Sequence, residues 1–202
     1  MPAPPDALTP IRVGGEPWRA PTEGEAAARP AAVLVLVAPN AAGEACVVLI
    51  ERQSYDGHHS GEIAFPGGTA EADDADAEAT ALREAAEEIG LEPSRVGLRV
   101  IGTLEPFWIP VSNFAVTPIV AVADRLQSWR LDQREVANVV EAPLELFLPD
   151  APITTLEREV LEWRIRYGAY ALDGVPGAGP GLAVWGATAR ILGQLGAIIG
   201  RG

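Results

Sequence analysis

The sequence predicts an α+β protein in which helices cover both faces of a central β-sheet, an α/β/α sandwich. Short, Val-rich apolar runs bounded by Gly, Pro and Asn recur along the chain and outnumber the segments with helical periodicity, which is typical of a sheet with few helices. Two segments, 76–89 and 182–199, place apolar residues three or four positions apart, as an amphipathic helix does. A chain of 202 residues suits one well-buried domain.

The elements follow in order from the first strand to the closing helix. Strands are predicted where apolar or alternating runs end at turn residues, over 32–38, 45–52, 62–65, 96–104, 114–123, 136–141, 160–165 and 167–172. The first two are joined by a turn, and the last two alternate as a hairpin does. A short helical turn is predicted over 143–147, between the two helices.

The two ends of the chain differ in character. Residues 1–30 are rich in Pro, Ala and Glu with little periodicity, which predicts a loosely structured segment that packs on the domain. Residues 31–202 carry all the periodic segments, and we expect them to form a single domain.

The most informative feature is a cluster of three carboxylates on the first predicted helix. Glu84, Glu87 and Glu88 stand at positions i, i+3 and i+4 and therefore project from one helical face. Carboxylates crowded onto one turn repel one another unless water or cations neutralise them. Oxygen ligands of this kind suit Mg²⁺ or Mn²⁺. Taken alone, the cluster also fits a solvated acidic face.

The residues around the cluster favour the metal site. The segment 83–91 reads REAAEEIGL, and Phe65, Pro66, Gly67 and Gly68 precede the helix. This pattern resembles the Nudix box, GX5EX7REUXEEXGU with U an aliphatic residue. The resemblance implies a Nudix-type α/β/α sandwich with a mixed central sheet, and a hydrolase that cleaves a pyrophosphate bond.

The first half of the box departs from the general pattern. The interval from Gly68 to Arg83 is one residue longer than the box allows, and Ala75 stands where the early Glu would fall. A one-residue expansion with Asp in place of that Glu is similar to the coenzyme A pyrophosphatase branch of the family. Asp74 would then take the displaced position. Alternatively, Asp74 is an Asp at the N-terminus of the helix, where this residue is common.

The flanking residues resemble the same branch. Its upstream signature, LLTxR followed by LRxHxGQVAFPGG, is matched by Arg52, His59, Gly61 and residues 65–68, and departs at Ile50, Asp56, Gly57 and Glu62. Residues 184–192, VWGATARIL, are similar to the branch's C-terminal WGxTARIL helix. Together the matches cover residues 32–195.

This resemblance implies roles for the residues of the metal site. Glu84, Glu87 and Glu88 would hold the divalent ions, with the carbonyl of Gly67 as an additional ligand. Arg83, four residues before Glu87, would orient a carboxylate. The base that activates water stays open: Glu84 is one candidate, and Glu105 and Glu141 are alternatives that equally suit an exposed surface.

Other residues are candidates for contacts with the substrate. Arg52 ends a strand and would bind a phosphate or form a structural ion pair. His59 would contact a ribose 3′-phosphate or lie on a surface loop, and Ser112 belongs to the branch's substrate-facing loop. Phe107 and Trp108 are candidates to stack on adenine, although aromatic residues flanked by Pro and Ile also fit a core.

The predicted reaction is the metal-dependent hydrolysis of coenzyme A or a derivative to 3′,5′-ADP and 4′-phosphopantetheine. One alternative is another nucleoside diphosphate, such as ADP-ribose, cleaved at the same site. An alternative of another class is a nucleotide-sensing module that keeps the fold without catalysis. All three share a small nucleotide as ligand.

Composition limits the partners. A net charge of −13 argues against a nucleic-acid binder, which needs a basic face to displace counterions. The sequence shows no bilayer-length apolar run and no secretory start, so we expect no membrane partner and a cytoplasmic location. Cys46 has no second cysteine to pair with. The choice between a monomer and a homodimer is open.

Overall fold

A computed structural model describes residues 4–14, 27–53, 61–160 and 163–200. Within these residues the strands are β1 (Ile11–Arg12), β2 (Arg29–Pro39), β3 (Ala45–Arg52), β4 (Ile63–Ala64), β5 (Gly67–Thr69), β6 (Arg99–Thr103), β7 (Phe107–Ile109), β8 (Phe114–Val122), β9 (Val136–Pro143), β10 (Thr154–Val160), β11 (Trp163–Ala171) and β12 (Ala183–Trp185). The α-helices are α1 (Ala77–Ile89), α2 (Pro93–Val96) and α3 (Gly186–Ile199), and short 3₁₀ turns cover Asp6–Leu8 and Leu144–Phe147.

The main sheet is mixed and has β2 and β3 at its centre. Its strand order is β4-β3-β2-β8-β6, with β5 paired to β2, β7 to β8 and β9 to β3. Strands β2 and β8 run parallel, from Arg29 opposite Phe114 to Val37 opposite Val122. The other pairs of this sheet are antiparallel. The predicted mixed central sheet is therefore confirmed.

Each face of the main sheet packs on a separate hydrophobic core. On one face Leu34 and Leu36 pack with Ala85 and Ile89 of α1. On the other face Val35 packs with residues of β11 and α3, such as Leu192. Because successive strand residues point to opposite faces, a strand buried on both sides is apolar throughout, which explains the continuous Val- and Leu-rich run of β2.

The second face of the main sheet is covered by more than a helix. Helix α3 lies there together with a small antiparallel sheet of order β1-β11-β10, in which β12 also pairs with β11. The α+β class and the two covering helices are confirmed. The small sheet is an addition that the sequence did not predict as a separate layer.

The predicted hairpin near the C-terminus is wrong in its bounds. The two strands that pair are β10 and β11, with Thr154 opposite Ala169 and Val160 opposite Trp163. The predicted strand 160–165 therefore spans the connection between them. Alternation of polar and apolar residues continues through this region, so the pattern alone does not locate the turn.

Two further bounds differ for reasons of backbone chemistry. The predicted strand 96–104 is preceded by α2, which starts at Pro93 and ends at Gly97 with a φ of 67°, the usual proline and glycine positions of a helix. The predicted helix 182–199 begins only at Gly186, because residues Ala183–Trp185 form a strand on β11.

The described part of the N-terminal segment packs on the second core. Leu8 is buried there, and Ile11 and Arg12 pair with β11. The loosely structured segment predicted for 1–30 stays a prediction, as does the single domain over 31–202, because 15–26 lie outside the described residues. In the described ranges, no helix has the length and apolar character needed to span a membrane.

Candidate active site

Local sequence fixes both ends of α1 and hence the direction of its carboxylates. The Asp76 side chain accepts a hydrogen bond from the Ala79 N–H at the N-terminus, and Gly90 ends the helix in the left-handed region with a φ of 66°. The helix predicted over 76–89 is therefore confirmed.

The three carboxylates of α1 differ in their exposure to solvent. The Glu88 side chain is 3 % exposed, that of Glu84 16 % and that of Glu87 61 %. Glu84 and Glu88 turn inward to the Gly67–Gly68 corner of β5, while Glu87 lies at the solvent margin. The cluster that the sequence presents as three equal residues is an inner pair with an outer partner.

The two glycines allow the backbone and the inner pair to approach closely. The Gly67 N–H donates a hydrogen bond to Glu88 Oε2 over 2.9 Å. A Cβ at Gly68 would lie 2.6 Å from the Glu84 carboxylate, and one at Gly67 would lie 2.6 Å from Val33 Cα. Gly67 also has a φ of 152°, a conformation that side chains oppose. The corner therefore requires glycine.

Arg83 binds carboxylates from three directions. Its guanidinium lies 3.1 Å from Glu87 Oε2 and 3.1 Å from Glu84 Oε1. It also donates two hydrogen bonds of 3.0 Å to Asp74, and one of 3.0 Å to the Thr69 carbonyl. These contacts fix the carboxylates relative to β5, which is the work of a positioning residue.

Asp74 anchors Arg83 rather than capping α1. Beyond the paired hydrogen bonds with Arg83, its carboxylate accepts hydrogen bonds from the Glu71 N–H and the Thr80 hydroxyl. The Arg83 guanidinium, followed by these donors, holds the pKa of Asp74 well below its usual range. The cap position belongs to Asp76, so the longer loop supplies one Asp to the helix end and one to Arg83.

The inner carboxylates carry charge that the protein compensates only in part. Burial raises the pKa of Glu88 to about 7, against the lowering effects of the Gly67 N–H and of Arg52. Burial also raises the pKa of Glu84, although Arg83 opposes the shift. The nearest approach of Arg52 to Glu88 is 3.9 Å. An additional cation would therefore stabilise the ionised pair.

Glu135 is a fourth carboxylate that sequence reasoning did not find. Its charge raises the pKa of both Glu84 and Glu88. Its backbone is held on two sides, because its carbonyl accepts from Gln53 N–H and its N–H donates to the carbonyl of Asp132. The Asp132 N–H in turn donates to the carbonyl of Glu88. Only the fold brings Glu135 here, since no local spacing links it to α1.

The residues predicted to contact the substrate differ in where they lie. Arg52 lies at the carboxylate site, with its guanidinium 3.9 Å from Glu88. Ser112 lies in the turn between β7 and β8 and, among the described residues, makes no side-chain hydrogen bond to α1. His59 lies outside the described residues.

The two outside candidates for the base have other surroundings. Glu141 accepts a hydrogen bond of 2.9 Å from the Trp129 indole, and its strand position is opposite Val48. Glu105 is exposed just before β7. Neither is among the groups that shift the pKa of Glu84 or Glu88.

The carboxylates are not yet gathered on one point. In the part of the chain that the structure describes, no group of three or more His, Cys, Asp or Glu side chains has the arrangement of a metal site. Glu87 pairs with Arg83 at the solvent margin instead. The inner pair beside the glycine corner still fits a divalent cation, because its donors are all oxygen atoms. Glu87 is exposed and can rotate to join.

Comparison with known proteins gives a consistent family. The model of the NUDIX domain matches residues 28–164. The chain is 38 % identical over 166 residues to Nudix hydrolase 15, mitochondrial, of Arabidopsis thaliana, covering 80 % of this chain and 55 % of that protein. It is 35 % identical over 162 residues to the uncharacterized Nudix hydrolase NudL of Salmonella newport (strain SL254), covering 76 % and 75 %.

The solved structures support the fold. A MutT/nudix family protein from Enterococcus faecalis superposes with a TM-score of 0.53 at 18 % identity, over 85 % of this chain and 62 % of that one. The chain spans about half the length of the Arabidopsis relative.

We expect Gly68→Ala to weaken divalent-ion binding without unfolding the protein. The new Cβ would displace the flexible end of Glu84 rather than backbone, and losses of this kind cost about 10–100-fold in metal affinity. Mn²⁺ titration calorimetry measures the effect. Gly179→Ala is the control, because its Cβ would make only ordinary contacts. Equal Mn²⁺ affinity in both variants would contradict the geometry described.

We expect metal-free Glu88→Gln to be more stable than the metal-free native chain at pH 8. A pKa raised from 4.5 to about 7 in the folded state means that the free energy of unfolding, full below pH 4.5, falls by about 3 kcal/mol as the pH rises through 7. The Gln side chain does not ionise and escapes this loss.

Urea unfolding in chelator at pH 5 and pH 8 measures the difference, which should grow with pH. Glu87→Gln on the same helix is the matched control, since its side chain is largely exposed, and it should change stability little at either pH. A Glu88→Gln protein less stable than native at pH 8 would refute the burial argument.

Proposed function

We propose, on the premise that this chain belongs to the Nudix hydrolase family, that it hydrolyses the pyrophosphate bond of a nucleoside diphosphate derivative with Mg²⁺ or Mn²⁺. We further propose coenzyme A or a derivative as the substrate, with 3′,5′-ADP and 4′-phosphopantetheine as products. The observation that carries the reaction class is the buried Glu88 carboxylate paired with Glu84 at the Gly67–Gly68 corner.

The inner pair, with Glu87, would hold the divalent ions, and the Gly67 carbonyl would complete the ligand set, as the family resemblance implies. Bound there, such ions screen the diphosphate charge and lower the pKa of an attacking water. The bound ions would also supply positive charge at the site, where the protein's net charge of −13 would otherwise repel a polyanionic substrate.

The surrounding residues would position the reacting groups. Arg83 keeps Glu84 and Glu87 in place through its anchor on Asp74. Arg52, partly exposed and 3.9 Å from Glu88, would bind a phosphate oxygen of the substrate. The glycine corner brings the Glu84 and Glu88 carboxylates close to the backbone of β5, because Gly67 and Gly68 place no side chain between them.

We assign the activation of water to Glu135. Its charge acts on both inner carboxylates, and its backbone is joined through Asp132 to the end of α1. Glu141 is engaged by the Trp129 indole, and Glu84 is engaged by Arg83. Because Glu135 is not one of the proposed metal ligands, it can accept a proton while Glu84, Glu87 and Glu88 hold the ions.

The coenzyme A assignment is supported by sequence features that the general family lacks. These are the longer loop that carries Asp74, the upstream signature that includes Arg52, and the C-terminal WGxTARIL-like segment that opens β12 and α3. ADP-ribose hydrolysis and nucleotide sensing without catalysis are the alternatives to be tested.

The decisive experiment is a hydrolysis panel in water labelled with heavy oxygen. Coenzyme A, its disulfide, an acyl form and ADP-ribose are each incubated with Mg²⁺ or Mn²⁺, and products are identified by mass spectrometry. We expect 3′,5′-ADP and 4′-phosphopantetheine from coenzyme A, faster than any product from ADP-ribose, and none from Glu88→Gln. Faster ADP-ribose turnover would overturn the substrate, and metal-independent binding without hydrolysis would favour the sensor.

We expect Glu135→Gln to lower kcat by about 10²–10⁴-fold, the usual contribution of a general base, while Mn²⁺ affinity changes little. Steady-state kinetics and Mn²⁺ titration calorimetry measure the two quantities. Glu141→Gln is the control, and it should retain kcat. If Glu135→Gln keeps native kcat, or if Glu141→Gln loses as much, the assignment of the base is wrong.

A further inference from the structure

Two arginines cover aromatic rings at one end of the main sheet. The guanidinium carbon of Arg29 lies 4.3 Å from the centre of the Phe114 ring, and that of Arg190 lies 5.7 Å from the centre of the Phe107 ring. Both distances are within the range of cation–π attraction. We call these four residues the Arg–Phe patch.

Strand register places the patch on one face. Arg29 on β2 is opposite Phe114 on β8, and Phe107 on β7 is opposite Val116, two residues further along β8. Directly paired residues point to the same face, and diagonal neighbours are separated by about 7–8 Å. The two rings therefore lie on one face at diagonal positions of neighbouring strands, and α3 brings Arg190 over the second.

The patch carries positive charge that the described protein does not neutralise. Arg29 and Arg190 are exposed while both rings are half-buried, and neither arginine has an ion pair within the described ranges. Several arginines elsewhere are held by acids, as Arg99 is by Asp124 and Arg166 is by Glu157. In a chain of net charge −13, two uncompensated cations beside two π-faces favour a ligand that is both aromatic and anionic.

We propose that the Arg–Phe patch binds the 3′-phosphoadenosine end of the substrate and so determines specificity, an inference that rests on the proposed function. The adenine ring would take the place of a guanidinium over Phe107 or Phe114, and the freed guanidinium would bind the phosphate monoester through paired hydrogen bonds. ADP-ribose has the adenine but no phosphate monoester, so the patch would discriminate between the two substrates.

The position of the patch suits this role. Val33 of β2 pairs with Gly67 at the carboxylate corner, and Arg29 is four residues earlier on the same strand. At about 3.3 Å per residue the separation along the strand is about 13 Å. The patch lies on the α3 face of the main sheet and the inner carboxylates on the α1 face, so a nucleoside diphosphate that contacts both would pass around the end of β2 at Arg29.

Calorimetry with 3′,5′-ADP and 5′-AMP on the metal-free chain tests the proposal. The double variant Arg29→Gln with Arg190→Gln should bind 3′,5′-ADP at least about tenfold more weakly, the equivalent of one lost charge-assisted contact, and 5′-AMP almost as well as native. Arg158→Gln is the matched control, because Arg158 also covers a ring, that of Trp185, but on the small sheet.

A second variant separates the ring from the charge. Phe114→Leu keeps an apolar side chain and removes the π-face, so it should weaken both nucleotides alike. In turnover of coenzyme A, the double arginine variant should raise KM by about the same factor as the binding loss, with kcat unchanged. Native affinity for 3′,5′-ADP in the double variant, or equal losses of both nucleotides there, would overturn the proposal.

The failure of this inference and of the proposed function are distinguishable, because nucleotide binding is measured without metal or turnover. If the patch binds 3′,5′-ADP specifically and the protein does not hydrolyse coenzyme A, the proposed function is wrong and the proposed binding site stands. Coenzyme A hydrolysis with unchanged KM in the double arginine variant would sink the patch and leave the function.

Discussion

The site depends on the burial of one carboxylate against the backbone of a glycine. Glu88 is nearly inaccessible to solvent and accepts a hydrogen bond from the Gly67 N–H, while Glu84 occupies the space where a side chain at Gly68 would be. Burying two like charges side by side is unfavourable unless something compensates them. Within the described residues, Arg83 pairs with Glu84, and Arg52 approaches Glu88 only to 3.9 Å, so the two negative charges are compensated only in part. A cation at this corner would therefore be stabilising.

The main sheet and the segment after β8 both fix the position of that corner. Strand β5 is fixed to β2 by pairing, and α1 is fixed to the same sheet by a core of Leu34, Ala85 and Ile89. The chain after β8 returns over the end of α1, where the Asp132 N–H and the Arg130 N–H donate to the carbonyls of Glu88 and Ile89. The same return positions Glu135. A second core on the opposite face leaves the main sheet little freedom to shift.

Sequence reasoning was sufficient where the physics is local. The bounds of α1 follow from Asp76, Gly90 and helical periodicity, and the glycine corner follows from its position before the acidic helix. The different surroundings of the three glutamates could not be predicted from the sequence. They depend on Arg83, which is held by Asp74 and pairs with Glu87 at the solvent margin. The position of Glu135 depends on a segment that contacts the C-terminal end of α1, which no local pattern indicates. The bounds of the β10–β11 hairpin could not be predicted because polar and apolar residues alternate through both strands without interruption. Ser112, chosen by family resemblance, lies in the β7–β8 turn.

The central claim is that Glu84 and Glu88 hold a divalent cation beside the glycine corner. Anomalous diffraction from crystals soaked in Mn²⁺ tests it most directly. We expect an ion between the two carboxylates and next to Gly67, with Glu87 turned from Arg83 towards the ion and Arg83 still paired with Asp74. Anomalous density absent from the corner, with both inner carboxylates unchanged, would contradict it.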